Sequence, residues 1–155
     1  MADAFMQEAL LEAQQAFDED EIPVGAVVVR AGRIIGRGHN RRMQRHDPTA
    51  HAEMEAIRDA ARNIGDWRLN GCRMYVTLEP CAMCAGAIAQ CRLDAVIFGA
   101  FDDAFGCAGS RLNLPCDART GGRTRVAGGL MQQECADLLQ SYFGARREKK
   151  HNAKT

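Results

Sequence analysis

The sequence predicts one α/β domain built on a mixed sheet, and three patterns carry this prediction. Two short apolar runs at residues 24–29 and 33–38 are separated by a turn, as in an antiparallel hairpin. A strand at 73–78, a helix at 81–91 and a strand at 95–99 follow one another closely, which predicts a right-handed parallel crossover. Helical apolar spacing occurs near both ends of the chain. The length of 155 residues suits a single domain.

The first half of the chain predicts two helices in addition to the hairpin. Apolar residues recur at spacings of three and four over residues 3–17, which indicates an amphipathic helix. After the hairpin, residues 39–49 are polar and show no periodicity, so they form a loop. A second helix is expected from 49 to 63, with His51 and Glu53 in its first turn.

The second half ends in a loop, a short strand and a helix. Periodicity is absent from residues 100–122, and a loop of this length is often functional. Residues 124–127 form the expected fifth strand after a glycine turn. The last helix carries apolar residues from Met131 to Phe143 along one face and ends in a basic segment.

Composition and charge restrict the classes of function. The formal net charge is zero, with 20 basic and 20 acidic residues, but residues 1–23 hold seven acids and no base. Residues 30–46 hold six arginines and no acid, which indicates a polyanionic partner such as nucleic acid or simply a solvated surface. No apolar run reaches about 18 residues, and the start of the chain carries no positive charge before an apolar run, so membrane spanning and export are disfavoured. Seven cysteines, an odd number, favour a reducing cytoplasm over a disulfide scaffold.

Two short motifs predict a metal site. Cys81 and Cys84 bracket two residues at the start of a helix, so one helical turn can direct both sulfurs at one point. His51 is a third candidate ligand, and hydrolytic zinc sites keep three protein ligands and one open position. Glu53, two residues after this histidine, is then placed to take a proton from the attacking water and return it to a leaving group.

A C-x-x-C motif alone also occurs in redox dithiols and in structural zinc sites. A structural site needs a fourth ligand at a suitable spacing, and the sequence has no second C-x-x-C. A redox site leaves His51 and Glu53 without a role. These motifs therefore favour catalytic zinc, with a zinc-stabilised binding module as the non-enzymatic alternative.

Four residues in the hairpin and in the loop after it are not assigned to the metal site. Asn40 can offer a donor and an acceptor to a substrate, or it can tie its own loop together. Gly25 either serves turn and bulge geometry or lets the backbone approach a bound base. His39 and His46 are expected to be surface or loop-ordering residues, because His51 already completes the ligand set.

With H-x-E and P-C-x-x-C both present, the chain resembles the zinc-dependent cytidine and deoxycytidylate deaminase superfamily. Longer strings are similar to the bacterial tRNA-specific adenosine deaminases within it, and these strings lie at residues 22–27, 45–53, 75–81 and 108–110. The resemblance covers the chain from the first helix to Arg147.

The resemblance implies a three-layer α/β/α sandwich with a five-stranded mixed sheet, and a homodimer with one zinc ion per subunit. Residues 1–147 would form the deaminase domain, and residues 148–155 a flexible basic tail. The implied substrate is the anticodon stem-loop of an arginine tRNA, whose wobble adenosine is converted to inosine. The implied metal ligands are His51, Cys81 and Cys84, and Glu53 is the implied catalytic residue. The implied substrate-binding residues are Asn40, Ala52 (through its backbone), Asp102, Arg146 and Arg147.

One alternative function uses the same four catalytic and metal-binding residues. A free nucleobase or nucleoside deaminase of the guanine or cytosine type needs the same zinc chemistry. Its activity should not depend on the arginines or the basic tail, and it should vary little with salt, unlike RNA binding. The two functions therefore differ outside the metal site.

Overall fold

A computed structural model describes residues 1–154. The strands are β1 (Gly25–Arg30), β2 (Arg33–His39), β3 (Cys72–Leu78), β4 (Ala95–Ala100) and β5 (Arg125–Gly128). They form one five-stranded sheet in the order β2-β1-β3-β4-β5. The helices are α1 (Ala2–Asp18), α2 (Ala52–Ile64), α3 (Ala82–Gln90) and α4 (Gln132–Asn152), with a short 3₁₀ helix at Ala118–Thr120.

The sheet is mixed, as the sequence predicts. β1 pairs antiparallel with both β2 and β3, whereas β3, β4 and β5 are parallel to one another. One face of the sheet packs on α2 and α3, with Val28, Met74 and Val96 at the centre of that core. The other face packs on α1 and α4, where Val27 and Tyr75 lie in the core. The predicted three-layer α/β/α sandwich is confirmed.

Glycines let two helices approach the hairpin closely. A Cβ on Gly25 would lie 2.0 Å from the carbonyl oxygen of Ala9 in α1. A Cβ on Gly38 would lie 2.4 Å from the carbonyl oxygen of Ala52, the first residue of α2. Gly25 thus makes room for α1, and the alternative that it makes room for a bound base is wrong. Gly38 brings the start of α2 against β2, next to the predicted site.

The ends of two elements differ from the sequence-based expectation. The second helix begins at Ala52 rather than at 49, because His51 has extended dihedral angles and acts as the N-cap. The last helix continues to Asn152, so the predicted domain boundary at 147 falls inside α4. The division of the chain at that point stays a prediction. Among the helices of the described part of the chain, none has the length and apolar character needed to cross a membrane.

Candidate metal-binding active site

Two helix starts and the end of one strand build the site. His51 caps the N-terminus of α2, and Cys81 caps the N-terminus of α3 just beyond the carboxyl end of β3. Cys84 follows in the first turn of α3 and is fully buried. Helix N-termini carry partial positive charge from their unpaired N–H groups, which stabilises thiolates and other anions. The fold therefore places three candidate ligands where negative charge is favoured.

The distances in this cluster fit a tetrahedral metal. His51 Nδ1 lies 3.7 Å from Cys81 Sγ and 3.6 Å from Cys84 Sγ. A tetrahedral zinc with ordinary Zn–S and Zn–N bonds separates a sulfur and a nitrogen ligand by about 3.6 Å. Within residues 1–154, His51, Cys81 and Cys84 are the one group of His, Cys, Asp or Glu side chains with metal-binding geometry. Three ligands without a fourth are typical of a catalytic zinc site, so the group can hold one zinc ion.

The three ligands share their protons unequally in the protein alone. The pKa of Cys81 falls to about 3, first because the Cys84 thiol donates a hydrogen bond to it and also because His51 does, against the opposing effect of burial. The pKa of Cys84 is raised by its hydrogen bond to Cys81 and by burial. Contact with Cys81 raises the pKa of His51, against burial. Cys81 is therefore already a thiolate in the metal-free protein. Cys84 and His51 hold protons that they would release when a metal binds.

Glu53 lies directly against this cluster. The residue is 4% exposed, and its Oε2 lies 3.4 Å from Cys84 Sγ. Burial raises the pKa of Glu53, and the negative charge of Cys81 adds to the rise. A carboxyl group with a raised pKa holds a proton more readily than an ordinary glutamate, which suits a group that accepts and returns protons.

A pocket of about 340 Å³ opens over Glu53 and two of the ligands, His51 and Cys81. Asn40 and Ala52 line it, as the resemblance implies. Asn40 also orders its loop, since Oδ1 accepts the N–H of Arg42 at 3.2 Å. Ala52 is the first residue of α2, where backbone N–H groups have no partner inside the helix. The remaining lining residues are Ile22, Val24, Arg42, His51, Leu78, Glu79, Cys81, Asp102 and Phe105.

The other implied substrate-binding residues lie at two places. Asp102 lines the metal pocket, and its Oδ1 accepts the N–H groups of Ala104 and Phe105 at 3.1 Å. Arg146 and Arg147 do not line the metal pocket. They line an adjoining cavity of about 420 Å³. The two cavities share Ile22, Asn40 and Arg42, and the second also contains Met43, Tyr142, Phe143 and Lys150.

Comparison with known proteins decides the family. A model of the cytidine and deoxycytidylate deaminase zinc-binding region matches residues 1–100. The chain belongs to the cytidine and deoxycytidylate deaminase family. The three candidate ligands and Glu53 all lie inside the matched region. The geometry and the family therefore agree on a zinc-binding deaminase.

Three similar proteins show which deaminases of this family the chain resembles. The tRNA-specific adenosine deaminase of Bacillus subtilis (strain 168) is 44% identical over 150 residues, which cover 97% of this chain and 93% of that protein. A solved structure from a study of A-to-I editing by tRNA:A34 deaminases at the wobble position of transfer RNA has a TM-score of 0.84 and 41% identity, covering 87% of this chain and 98% of that one. The guanine deaminase of Bacillus subtilis has a TM-score of 0.61 and 41% identity, over 63% of each chain.

The deaminase also contains a buried acid whose role the sequence did not reveal. Glu79, only 2% exposed, accepts the backbone N–H groups of Asp102, Ala108 and Ser110 at 3.0 to 3.1 Å, together with the Ser110 hydroxyl. Burial alone would raise the pKa of Glu79, but these hydrogen bonds lower it overall. A Cβ on Gly106 would lie 2.4 Å from Glu79 Oε2, so glycine is needed at that position. Glu79 thus fixes the loop that carries Asp102 to the pocket.

Replacing Glu79 with glutamine should loosen this loop and destabilise the deaminase. The amide keeps one oxygen but turns an NH₂ group toward backbone donors, which leaves buried donors unpaired at a cost of about 1–3 kcal/mol. Chemical denaturation measures the loss, and hydrogen exchange at Asp102, Ala108 and Ser110 locates it. Glu148→Gln, at an exposed position of α4, is the control. Unchanged unfolding and unchanged exchange at these three amides would contradict the assigned role.

Glu21 is a second buried acid near the deaminase pocket. It is 1% exposed, and its carboxylate accepts the N–H groups of Met43 at 2.9 Å and Gln44 at 3.2 Å. The sequence places Glu21 in a run of four acids, which is typical of solvated surface. No local pattern distinguishes it, because its partners lie more than 20 residues away along the chain.

Proposed function

We propose that this chain is a zinc-dependent enzyme that hydrolyses adenosine to inosine at the wobble position of the anticodon of an arginine tRNA. The observation that carries an RNA substrate is the basic cavity that shares Asn40 and Arg42 with the metal pocket. The similarity to tRNA-specific adenosine deaminases over nearly the whole chain supports the same substrate. The proposal includes a homodimer with one zinc ion per subunit, acting in the cytoplasm.

His51, Cys81 and Cys84 would hold the zinc in this enzyme. A zinc ion bound there would lower the pKa of a coordinated water to about 7 and so supply a nucleophile at neutral pH. Glu53 would accept one proton from the attacking water and pass it to the ring nitrogen as a C–O bond forms at C6 of adenine. Glu53 would then take the remaining proton from the new hydroxyl group and pass it to the departing amine as the C6–N bond breaks. The balance is adenosine and water to inosine and ammonia.

Asn40 and the backbone of Ala52 would hold the base in the pocket. Both line the cavity above Glu53, and both contain hydrogen-bonding groups of the kind that read the edge of a base. The target adenine must leave its stack to reach the metal. An anticodon loop lowers this cost, because its bases are not paired.

The adjoining cavity would hold the RNA on either side of the target. Its lining combines four cationic side chains with two aromatic rings, and these are Arg42, Arg146, Arg147, Lys150, Tyr142 and Phe143. Arg146 is oriented by Tyr142, since it donates to the hydroxyl and its guanidinium carbon lies 5.4 Å from the ring centre. Cations beside aromatic rings suit unpaired nucleotides, which offer phosphates and exposed bases.

A free-base deaminase is the second candidate. The similarity to a guanine deaminase structure favours it, and it would use the same four residues around the metal. The substrate test is direct. Purified, zinc-loaded protein is incubated with a transcript of the arginine anticodon stem-loop and, separately, with guanine, cytidine and adenosine. Ammonia from the stem-loop alone supports the proposal, and ammonia from guanine or cytidine alone overturns it. A stem-loop from another tRNA with a wobble adenosine tests the arginine specificity.

Binding of the stem-loop should weaken steeply with salt. Three phosphate contacts reduce the affinity about 20-fold between about 50 and 200 mM salt, because each contact on a single strand contributes a slope of about −0.7. Fluorescence anisotropy with a labelled stem-loop measures the slope. Replacing both Arg146 and Arg147 with alanine should flatten it. Arg62→Ala, an arginine 72% exposed on α2, should leave it unchanged. A slope near zero for the unaltered protein would contradict binding through phosphates.

A further inference from the structure

A second cluster of titratable side chains lies immediately before Asn40. His39, the last residue of β2, is 5% exposed and sits against α1. Its Nδ1 lies 3.0 Å from Glu12 Oε2, and its Nε2 lies 3.0 Å from Glu19 Oε2. His39 is therefore a buried residue that bridges two elements, and the expectation of a surface histidine is wrong. Its loop-ordering alternative fits these contacts.

The two carboxylates decide the protonation state of His39. A neutral imidazole has one N–H, so it can donate to only one of two carboxylates, whereas an imidazolium donates to both. The hydrogen bond to Glu12 raises the pKa of His39, burial opposes the rise, and Glu19 adds to it. The arrangement is complete only when His39 carries a positive charge.

Arg41 offers His39 a second partner. Arg41 Nε lies 3.3 Å from His39 Nε2, the same nitrogen that faces Glu19. Arg41 can donate to this nitrogen only when the imidazole is neutral. Gln44 donates to Glu19 Oε2 at 2.7 Å, so Glu19 keeps a partner in either case. The cluster thus has two arrangements, one with Nε2 on Glu19 and one with Nε2 on Arg41.

These charged groups complete the surroundings of His39. Glu12 faces it from α1, Glu19 from the C-cap position directly after α1, and Arg41 from the loop after β2. Arg37, on β2, lies 3.8 Å from Glu12 and holds that carboxylate from the other side. Arg37 also binds Glu8 at 2.8 Å, so the cluster contains three acids and two arginines. It is neutral when His39 is protonated and carries one net negative charge when His39 is neutral.

The backbone connects this cluster to the pocket. Asn40 lies between His39 and Arg41 in the chain, and its N–H donates to the carbonyl of Val24 at 3.1 Å. The N–H of Arg41 donates to the carbonyl of Ala50 at 3.0 Å, directly before the metal ligand His51. Arg41 directly follows Asn40 in the chain, so a change in the hydrogen-bond partner of the Arg41 side chain takes place next to Asn40.

We propose that His39 is a positioning residue that holds Asn40 in place for the substrate base. With His39 protonated, the end of β2 is tied to Glu12 in α1 and to Glu19 directly after α1. With His39 neutral, Nε2 can accept the Nε–H of Arg41, which lies 3.3 Å away, and the hydrogen bond to Glu19 that holds the residue before Asn40 is lost. This inference rests on the proposed function, because Asn40 matters only if it binds a base.

The direction of the pH effect follows from the raised pKa. His39 would have a pKa near 6.5 in the unfolded chain. The pair of hydrogen bonds from His39 to Glu12 and Glu19 is therefore fully formed below that value. It is lost as the pH rises through the higher pKa of His39 in the folded protein. Since Asn40 acts in binding, KM should rise with pH while kcat changes less.

The test measures kcat and KM of the zinc-loaded enzyme on the arginine anticodon stem-loop from about pH 5.5 to 8.5. KM should rise by up to about tenfold, the effect of losing one hydrogen bond between Asn40 and the base. The midpoint should coincide with the His39 titration followed by NMR. Glu19→Gln should move the midpoint to lower pH, because it removes one negative charge from Nε2. His39→Gln should abolish the step, and His46→Gln, at an exposed position of the following loop, should retain it.

Three results would overturn the inference. They are a KM step that survives His39→Gln, a His39 titration at or below about pH 6.5, and a step in kcat alone. Failure of the proposed function would look different, because the unaltered enzyme would then release no ammonia from the stem-loop at any pH. In that case the NMR titration still tests whether protonation of His39 affects Asn40. The side-chain amide signals of Asn40 should shift with the same midpoint as His39, and a constant Asn40 signal would refute the coupling.

Discussion

Replacing Glu53 with glutamine should abolish deamination while zinc stays bound. Glu53 lies against the ligand cluster, with Oε2 3.4 Å from Cys84 Sγ, and it is proposed to move every proton in the reaction. An amide cannot accept the proton of the attacking water, so kcat should fall by about 10²- to 10⁴-fold or more, the usual contribution of general acid–base catalysis. Glutamine has the shape of a protonated glutamate. Because burial already favours the neutral form of Glu53, the variant should fold with undiminished stability.

Metal content and single-turnover rates separate this result from a folding defect. Zinc per subunit should remain equal to that of the unaltered protein, as should the thermal midpoint of unfolding. Glu134→Gln, at an exposed position of the first turn of α4, should change neither rate nor metal content. Glu53→Ala should reproduce the loss of rate. A zinc-loaded Glu53 variant with near-normal turnover would show that another group carries the protons.

The metal cluster could be predicted from sequence because its geometry is local. Cys81 and Cys84 are fixed relative to each other by one turn of α3, and His51 and Glu53 by the first turn of α2. Only one long-range fact was needed, namely that both helices start at the same edge of the sheet. Parallel crossovers place helix starts at the carboxyl ends of strands, and the chain order of strand, helix and strand already indicated this.

The buried acids and His39 could not be predicted for the opposite reason. An isolated charged side chain is normally on the surface, and burial becomes favourable only when partners from distant segments surround it. Glu79 takes its donors from residues 23 to 31 positions later, and His39 takes its acceptors from residues 20 and 27 positions earlier. No local pattern reports such contacts. The chain nevertheless shows one indirect signal, because Glu79 directly precedes the Pro80-Cys81 motif.

Gly25 shows the same difference on a smaller scale. A glycine at the start of a strand is compatible with a bulge, a bound ligand or a packed helix, and the sequence contains no information that separates them. Packing decides in favour of α1, whose backbone occupies the space of a Cβ. The final helix was likewise predicted along its apolar face, but its basic end continues as helix to Asn152.

Replacing Cys84 with alanine should remove zinc from the protein and, with it, all activity. Even residues that only support a metal ligand change affinity by about 10- to 100-fold, so loss of a direct ligand should exceed that. The effect on folding should be smaller. Alanine fills most of the space of a fully buried thiol, and the variant no longer places a thiol between Cys81 and Glu53.

Cys135 provides a matched control for this variant. It is 1% exposed, and it lies in α4 on the opposite face of the sheet from the metal cluster. Burial raises its pKa to about 11, so it remains a neutral thiol. Cys135→Ala should lower stability through the small cavity it leaves, by about 1 kcal/mol, and should retain zinc and activity.

The two alanine variants remove the same atoms from equally buried positions, so a difference in metal content isolates coordination from packing. Cobalt substitution adds a spectroscopic measure, since cobalt–thiolate absorption should weaken in Cys84→Ala and persist in Cys135→Ala. If Cys84→Ala kept one zinc per subunit, the metal would be held by another set of ligands, and the three-ligand site proposed for this deaminase would be wrong.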